Sequence, residues 1–215
     1  ISVDQAVSLA LEERSRVSDK PVGLLDMGDN VGGGSAGDGT IIAAEWLQKG
    51  GGPLLAVLYD PETVHLTEQA GVGESVHLKV GGKTDSLHGA PLEGKFTVLK
   101  LCDGKFSETE VRHGGYSHFD QGRIAILRSA EGLTILATSL RCAPLSLQQI
   151  LAFGLVPSDY AAIVIKGVHA PVAAYAGVCS RMIRVNTSGA TCADLQAFDF
   201  SHRRRPMFPF DPAVS

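Results

Sequence analysis

The chain has no excess of basic residues: 19 Lys and Arg against 23 Asp and Glu leave a formal net charge of -4. Nucleic acids and anionic membranes are gripped by clustered Lys and Arg that neutralise phosphates, so this balance argues against both as partners. The one basic run, Arg203-Arg204-Arg205, reads as a solvated tail segment or one that pairs with acidic groups nearby. Long apolar runs are missing too. None approaches the roughly 18 residues that suggest a membrane span, and no signal-peptide pattern opens the chain, which makes the cytoplasm the expected compartment. Cys102, Cys142, Cys179 and Cys192 show no CxxC or other ligand spacing. Lying beside or within apolar stretches, they read as buried free thiols. Without a secretory signal the sequon Asn186-Thr187-Ser188 has no route to glycosylation. Neither HExxH nor His-x-His occurs, and no self-sufficient hydrolase centre is visible.

What is present suffices for one α/β domain, since 215 residues with 44% hydrophobic content can bury a real core. Residues 2–16 carry the apolar spacing of an amphipathic helix. Because the chain opens on Ile1 rather than Met, it reads as a piece of a longer protein cut just ahead of that helix. Val22 to Leu25 is a short buried strand ending at Asp26, followed by a glycine-rich loop and a helix from Thr40 to Gln48. Leu54 to Tyr59 is a second strand. Asp60 then caps a helix with Pro61 at its first position and Gly71 at its close. This βαβα opening implies parallel strands. From about Glu74 to Ala143 the pattern turns to antiparallel β, with strands at 75–80, 95–101 and 123–127 and hairpin turns at Asp103-Gly104 and Glu131-Gly132. Helix returns at 146–153, strand at 160–165, helix at 170–178, strand at 181–185 and a helical turn at 194–198. The expected sheet is mixed, α/β at both ends and antiparallel between.

Chemistry concentrates in the loop from Asp26 to Thr40, which follows a strand and precedes a helix, where α/β proteins place ligands. Gly32, Gly34 and Gly37 satisfy GxGxxG, but residues 26–31 separate the glycines from the strand. Asp26, Asp29 and Asp38 would also oppose a pyrophosphate, so a dinucleotide site is disfavoured. The loop offers unhindered amides at Gly32, Gly33 and Gly34 beside Asp26, Asp29, Asn30 and Asp38. Either it approaches a ligand or partner closely, or Asp29 and Asn30 hold a turn while Asp38 or Thr40 caps the helix. Lys166 and His169 leave the end of the strand at 161–165 and could bind a carboxylate or polarise a carbonyl; ordinary polar residues at a solvent-facing end are the alternative. Parallel strand order would bring them near the glycine loop. His65 with Glu62 and Glu68 reads as a surface helix face, His77 as solvent-facing, and His88, His113, His118 and His202 as loop residues.

The pattern Asp26-x-x-Asp29-Asn30-x-Gly32-Gly33-Gly34-x-x-Gly37-Asp38-x-Thr40 resembles the opening of the C-terminal domain of the MlrC zinc metallopeptidase family. Further matches follow in order: Asp60-Pro61-Glu62, Gly71-Val72-Gly73, Gly81-Gly82-Lys83, Asp103-Gly104, Val164-Ile165-Lys166 with His169, Asn186 to Gly189, Arg205-Pro206 and Pro209 to Asp211. Val31 stands where the family usually has proline, Gly167 where it has a small hydroxyl residue, and Ala170-Pro171 where it has an aromatic-basic pair. In that family the zinc ligands belong to a preceding N-terminal catalytic domain. The resemblance therefore implies an accessory domain that packs on this partner and walls the cleft for a small peptide or amide substrate, with no metal held by this chain itself. The surface it would share with that partner is apolar and, left bare, favours self-association into a homo-oligomer. A non-catalytic module, whose glycine loop takes a small anionic ligand or a partner chain, is the competing reading.

Overall fold

Strands that are apolar throughout must be covered on both faces, and the continuous apolar runs of this sequence become the centre of the sheet. In the computed structural model, which describes residues 1–15 and 19–211, α1 (Val3–Ser15) precedes β1 (Val22–Asp26), α2 (Ile41–Gln48), β2 (Leu54–Tyr59) and α3 (Pro61–Ala70). The antiparallel section follows as β3 (Ser75–Val80), β4 (Leu92–Ser107), β5 (His118–Ser129) and β6 (Leu133–Thr138). The chain returns through α4 (Gln148–Leu151), β7 (Ala162–Ile165), α5 (Val172–Tyr175) and β8 (Arg181–Val185). The eight strands form one mixed sheet in the order β3-β4-β5-β6-β2-β7-β1-β8. Neighbours from β6 to β8 are parallel, while β3, β4, β5 and β6 pair antiparallel.

Alternation along the buried strands divides the core in two. Leu24, Leu54, Ala56, Leu58, Ile135 and Val164 face α1, α2 and α3, where Ala6, Ile42, Trp46 and Val64 meet them. Leu25, Leu55, Leu136, Ile163 and Ile165 face α4 and α5, where Ile150, Phe153 and Tyr175 cover them. Because α2 leaves β1 over one face and α5 leaves β7 over the other, the chain ends of these two neighbouring strands part. That is the position at which α/β sheets open a crevice beyond the carboxyl ends of their strands.

Local expectations fare unevenly. Asp60 caps α3, accepting the Thr63 N–H at 2.9 Å, with Pro61 at the first position. Glu131-Gly132 turns between β5 and β6, with Gly132 at φ 90°. Asp103-Gly104 is no hairpin turn. It lies inside the 16-residue β4 at a register shift opposite β5. An added Cβ on Gly104 would come within 2.6 Å of Ile124 Cγ2 and 2.7 Å of the Gly122 carbonyl, so close strand approach rather than reversal explains this glycine. The chain reverses instead between Glu108 and Ser117, whose backbones bond at 2.8 Å. The helices expected at 146–153 and 170–178 shorten to four residues each. Arg16, at the end of the first helical pattern, falls outside the described residues. Of the four free cysteines only Cys179 is buried; Cys102, Cys142 and Cys192 are half-buried. Arg203 pairs with Asp211 and stacks over Phe210.

Candidate functional site

Five parallel strands point their carboxyl ends at one edge, and polar residues follow each: Asp26 ends β1, Asp60 follows β2, Ser139 follows β6, Lys166 follows β7 and Thr187 lies just past β8. The sequence places Lys166 at a strand end, and parallel pairing of β1 with β7 sets it beside Asp26. Its ammonium lies 2.8 Å from Asp26 Oδ2 and 3.1 Å from Asp29 Oδ2, and donates a further bond to the Gly39 carbonyl. Lys166 is 4% exposed, with Asp26 and Asp29 each at 1%. It does bind carboxylates, but they are the protein's own, and the solvent-facing alternative does not hold for it. Thr187 donates its hydroxyl to Asp26 Oδ1 and accepts the Gly28 N–H at 2.8 Å.

Asp29 organises the glycine loop. Its two oxygens accept the N–H groups of Gly37 at 2.6 Å and Gly39 at 2.7 Å, eight and ten residues on, so it closes the whole loop rather than a local Asx turn. Burial alone would raise its carboxyl, but the Lys166 ammonium and the two backbone donors outweigh burial and hold it below the usual aspartate range. Burial likewise works against the charged form of Lys166, and Asp26 and Asp29 overcome it, raising the amine above its ordinary value. The Lys166–Asp29 pair is therefore held in its charged form, and its bonds, with that of Lys166 to Asp26, tie β1, β7 and the loop together.

Other candidates separate from this group. Asn30 works through its backbone, donating to Thr191 Oγ1 at 2.9 Å and accepting from Gly33 and Ser35. Asp38 caps no helix: its Oδ2 accepts Lys83 and Thr84 N–H groups at 2.8 and 2.9 Å, while Thr40 spends its hydroxyl on the Ala90 carbonyl. Both are drawn away from α2 because the 81–90 loop supplies partners that outcompete a local cap, and α2 starts without a side-chain cap bond. Gly32, Gly33 and Gly34 lie exposed on the outer turn, of which only Gly34 has positive φ, at 94°. His169 is exposed and faces the Arg184 guanidinium at 3.3 Å, apart from the Lys166 cluster.

Sequence reasoning missed a second buried network. His88, expected in a surface loop, is 1% exposed. Its Nδ1 lies 2.7 Å from Asp85 Oδ1 and its Nε2 2.7 Å from Ser35 Oγ, while the Ala190 N–H approaches Nε2 at 3.1 Å. An N–H aimed at Nε2 makes that nitrogen the acceptor and puts the ring proton on Nδ1, toward Asp85. The Asp-His-Ser chain has the bonding order of a hydrolase triad. With Ser35 2% exposed, however, its hydroxyl is closed to substrate, and the network pins three loops together. Asp60 makes a comparable joint, accepting from Thr63, Gly81 and Lys83. Arg141 was also missed. It lies three residues past β6, donates Nε–H to the Ala36 carbonyl at 2.8 Å and stacks 4.1 Å over the Tyr59 ring.

Among the described residues no group of three or more His, Cys, Asp and Glu could hold a metal ion, and no helix is long and apolar enough to cross a membrane.

The arrangement has close relatives. Residues 24–202 match the family described as MlrC C-terminus. Microcystinase C from a Sphingomonas species is 29% identical over 193 residues, which span 89% of this chain and 36% of that protein. A crystal structure of a candidate metallopeptidase from Mesorhizobium sp. BNC1 superposes with a TM-score of 0.86 at 29% identity, covering all of this chain and 42% of that one. The chain thus spans well under half the length of either relative, and with the family match running from β1 past β8, it belongs to the MlrC C-terminus family.

Proposed function

We propose that this chain is the accessory C-terminal domain of a zinc-dependent metallopeptidase or amidohydrolase, packing on an N-terminal catalytic domain and walling its cleft with the carboxyl edge of the sheet. One observation carries the reading: the Lys166–Asp26–Asp29 cluster is wholly spent on holding the glycine loop, so that Gly32 to Gly34 are presented outward on a fixed base. A site built for its own chemistry would leave one of those charges free toward solvent. A loop held this firmly, with side chains absent at its crest, suits close approach by another protein surface or by substrate. The relatives' greater length supports a partner domain of the same polypeptide. In that partner, zinc would activate a water for amide hydrolysis, and the small peptide substrate would lie between the two.

The test is Gly33→Ala in the full-length protein. An added Cβ would sit 2.9 Å from Thr191 Cγ2, on a side chain whose hydroxyl is bonded to Asn30 and Met27, and 3.1 Å from Asn30 Nδ2. Thermal unfolding of the variant is therefore measured beside its activity, and peptide hydrolysis should fall by more than any loss of stability explains. Unchanged hydrolysis would remove the loop from the cleft and favour the alternative of a non-catalytic module.

A further inference from the structure

Arg141 stands apart from the other cations of this edge. Lys166 and Lys83 are paired with aspartates, but among the described residues no carboxylate lies within ion-pair distance of Arg141. Its head is nevertheless fixed, by the Nε–H bond to Ala36 of the glycine loop and by stacking on Tyr59 at the end of β2. Those contacts use the Nε–H and one ring face, and leave the terminal N–H groups of the fork to a ligand. Beside it opens a crevice of about 160 Å³ whose walls include Tyr116, Phe119, Leu145 and Asp120. Tyr116, 62% exposed, packs edge-on against Phe119 with ring centroids 5.0 Å apart.

The crevice opens to solvent, with Tyr116, Phe119 and Leu145 set beside Arg141 and Asp120, and its volume admits one small side chain laid against the aromatic wall. A planar guanidinium with free donors is the protein's best partner for a carboxylate. We propose that Arg141 and the Tyr116–Phe119–Leu145 crevice form a subsite for a free carboxylate carried next to an apolar side chain, as at the C-terminal residue of a peptide. Asp120, on the same wall, disfavours ligands that bring a second negative charge. The peptide identity of the ligand rests on the peptidase reading above, whereas the carboxylate site itself does not.

Binding to the 215-residue chain tests it, with N-acetyl-leucine, N-acetyl-leucinamide and N-acetylglycine followed by NMR titration. The acid should bind with shifts centred on Arg141, Tyr116 and Phe119, the amide roughly tenfold or more weakly, and N-acetylglycine less well than N-acetyl-leucine. Arg141→Gln should cost a similar factor, Arg141→Lys less, and Lys95→Gln, an exposed charge elsewhere on β4, nothing. Equal binding of acid and amide by the unaltered chain, or no binding of either, overturns the proposal whatever the variants do to folding. Acid selectivity without peptide hydrolysis by the full-length protein would keep the subsite and sink the peptidase reading; hydrolysis without acid selectivity would do the reverse.

Discussion

Replacing Lys166 by Met keeps an apolar stem of similar length and deletes the cation that bridges Asp26 and Asp29. Both carboxylates are 1% exposed, so water cannot take the ammonium's place, and the Gly39 carbonyl loses its donor as well. Breaking a buried pair by removing one partner costs about 3–5 kcal/mol, mostly from the charge left behind. For a domain of this size that lowers the thermal midpoint by roughly 6–20 °C. Urea unfolding of the wild-type and variant chains, followed by circular dichroism, measures it. The argument also demands non-additivity: adding Asp26→Asn to Lys166→Met should recover part of the loss, because it removes one of the two stranded charges. A loss below about 1 kcal/mol, typical of exposed pairs, would show that the cluster is hydrated and the reasoning wrong.

Stability should be flat in mid-range pH and fall at both ends. Asp29, lowered in the fold, adds stability that is complete above about pH 4 and disappears as pH drops through its folded value. Lys166, raised in the fold, adds stability complete below about pH 10.4 and lost as pH climbs through its own; in Lys166→Met the alkaline limb due to this residue should vanish from denaturant midpoints. Asp60→Ala should cost about 2–3 kcal/mol in the same assay, above the ~1 kcal/mol typical of an N-cap, since it also strands the Gly81 N–H and takes from Lys83 its buried partner, leaving it only Glu62 and Thr63. Burial pushes the Cys142 and Cys179 thiols up to about 11 and about 12, so both should resist a thiol reagent at pH 8 in the folded chain and react at once in denaturant. After dialysis the isolated chain should retain well under one zinc, measured by atomic absorption, while the full-length protein keeps its metal.

The strands and their order of type were legible because continuous apolar runs such as 54–59 and 162–165 admit no other covered arrangement. The α3 cap was legible because Asp60 and Pro61 act on neighbouring backbone. What distance along the chain hides was not. Thr187 reaches Asp26 across 161 residues and His88 reaches Ser35 across 53, and neither pairing leaves a periodic trace. The Asp103-Gly104 pair misled because the same glycine that permits a turn also permits a neighbouring strand to press close. At the site, the glycine loop and Lys166 were found from their place at strand ends. Their burial was not, since a lysine after a strand reads as solvated until its partners are known. Gly33, the natural target for substitution, lacks the positive φ that a glycine run suggests; that conformation belongs to Gly34.

The central claim is that this domain completes a cleft whose metal lies in another part of the polypeptide. Its most direct test is to express the preceding region and this chain separately and to assay hydrolysis of a linear peptide by each alone and by the two together. The account predicts a metal-loaded preceding region with little activity, restored on adding this chain and not on adding its Gly33→Ala form. Full activity of the preceding region by itself, unaltered by this chain, would contradict it.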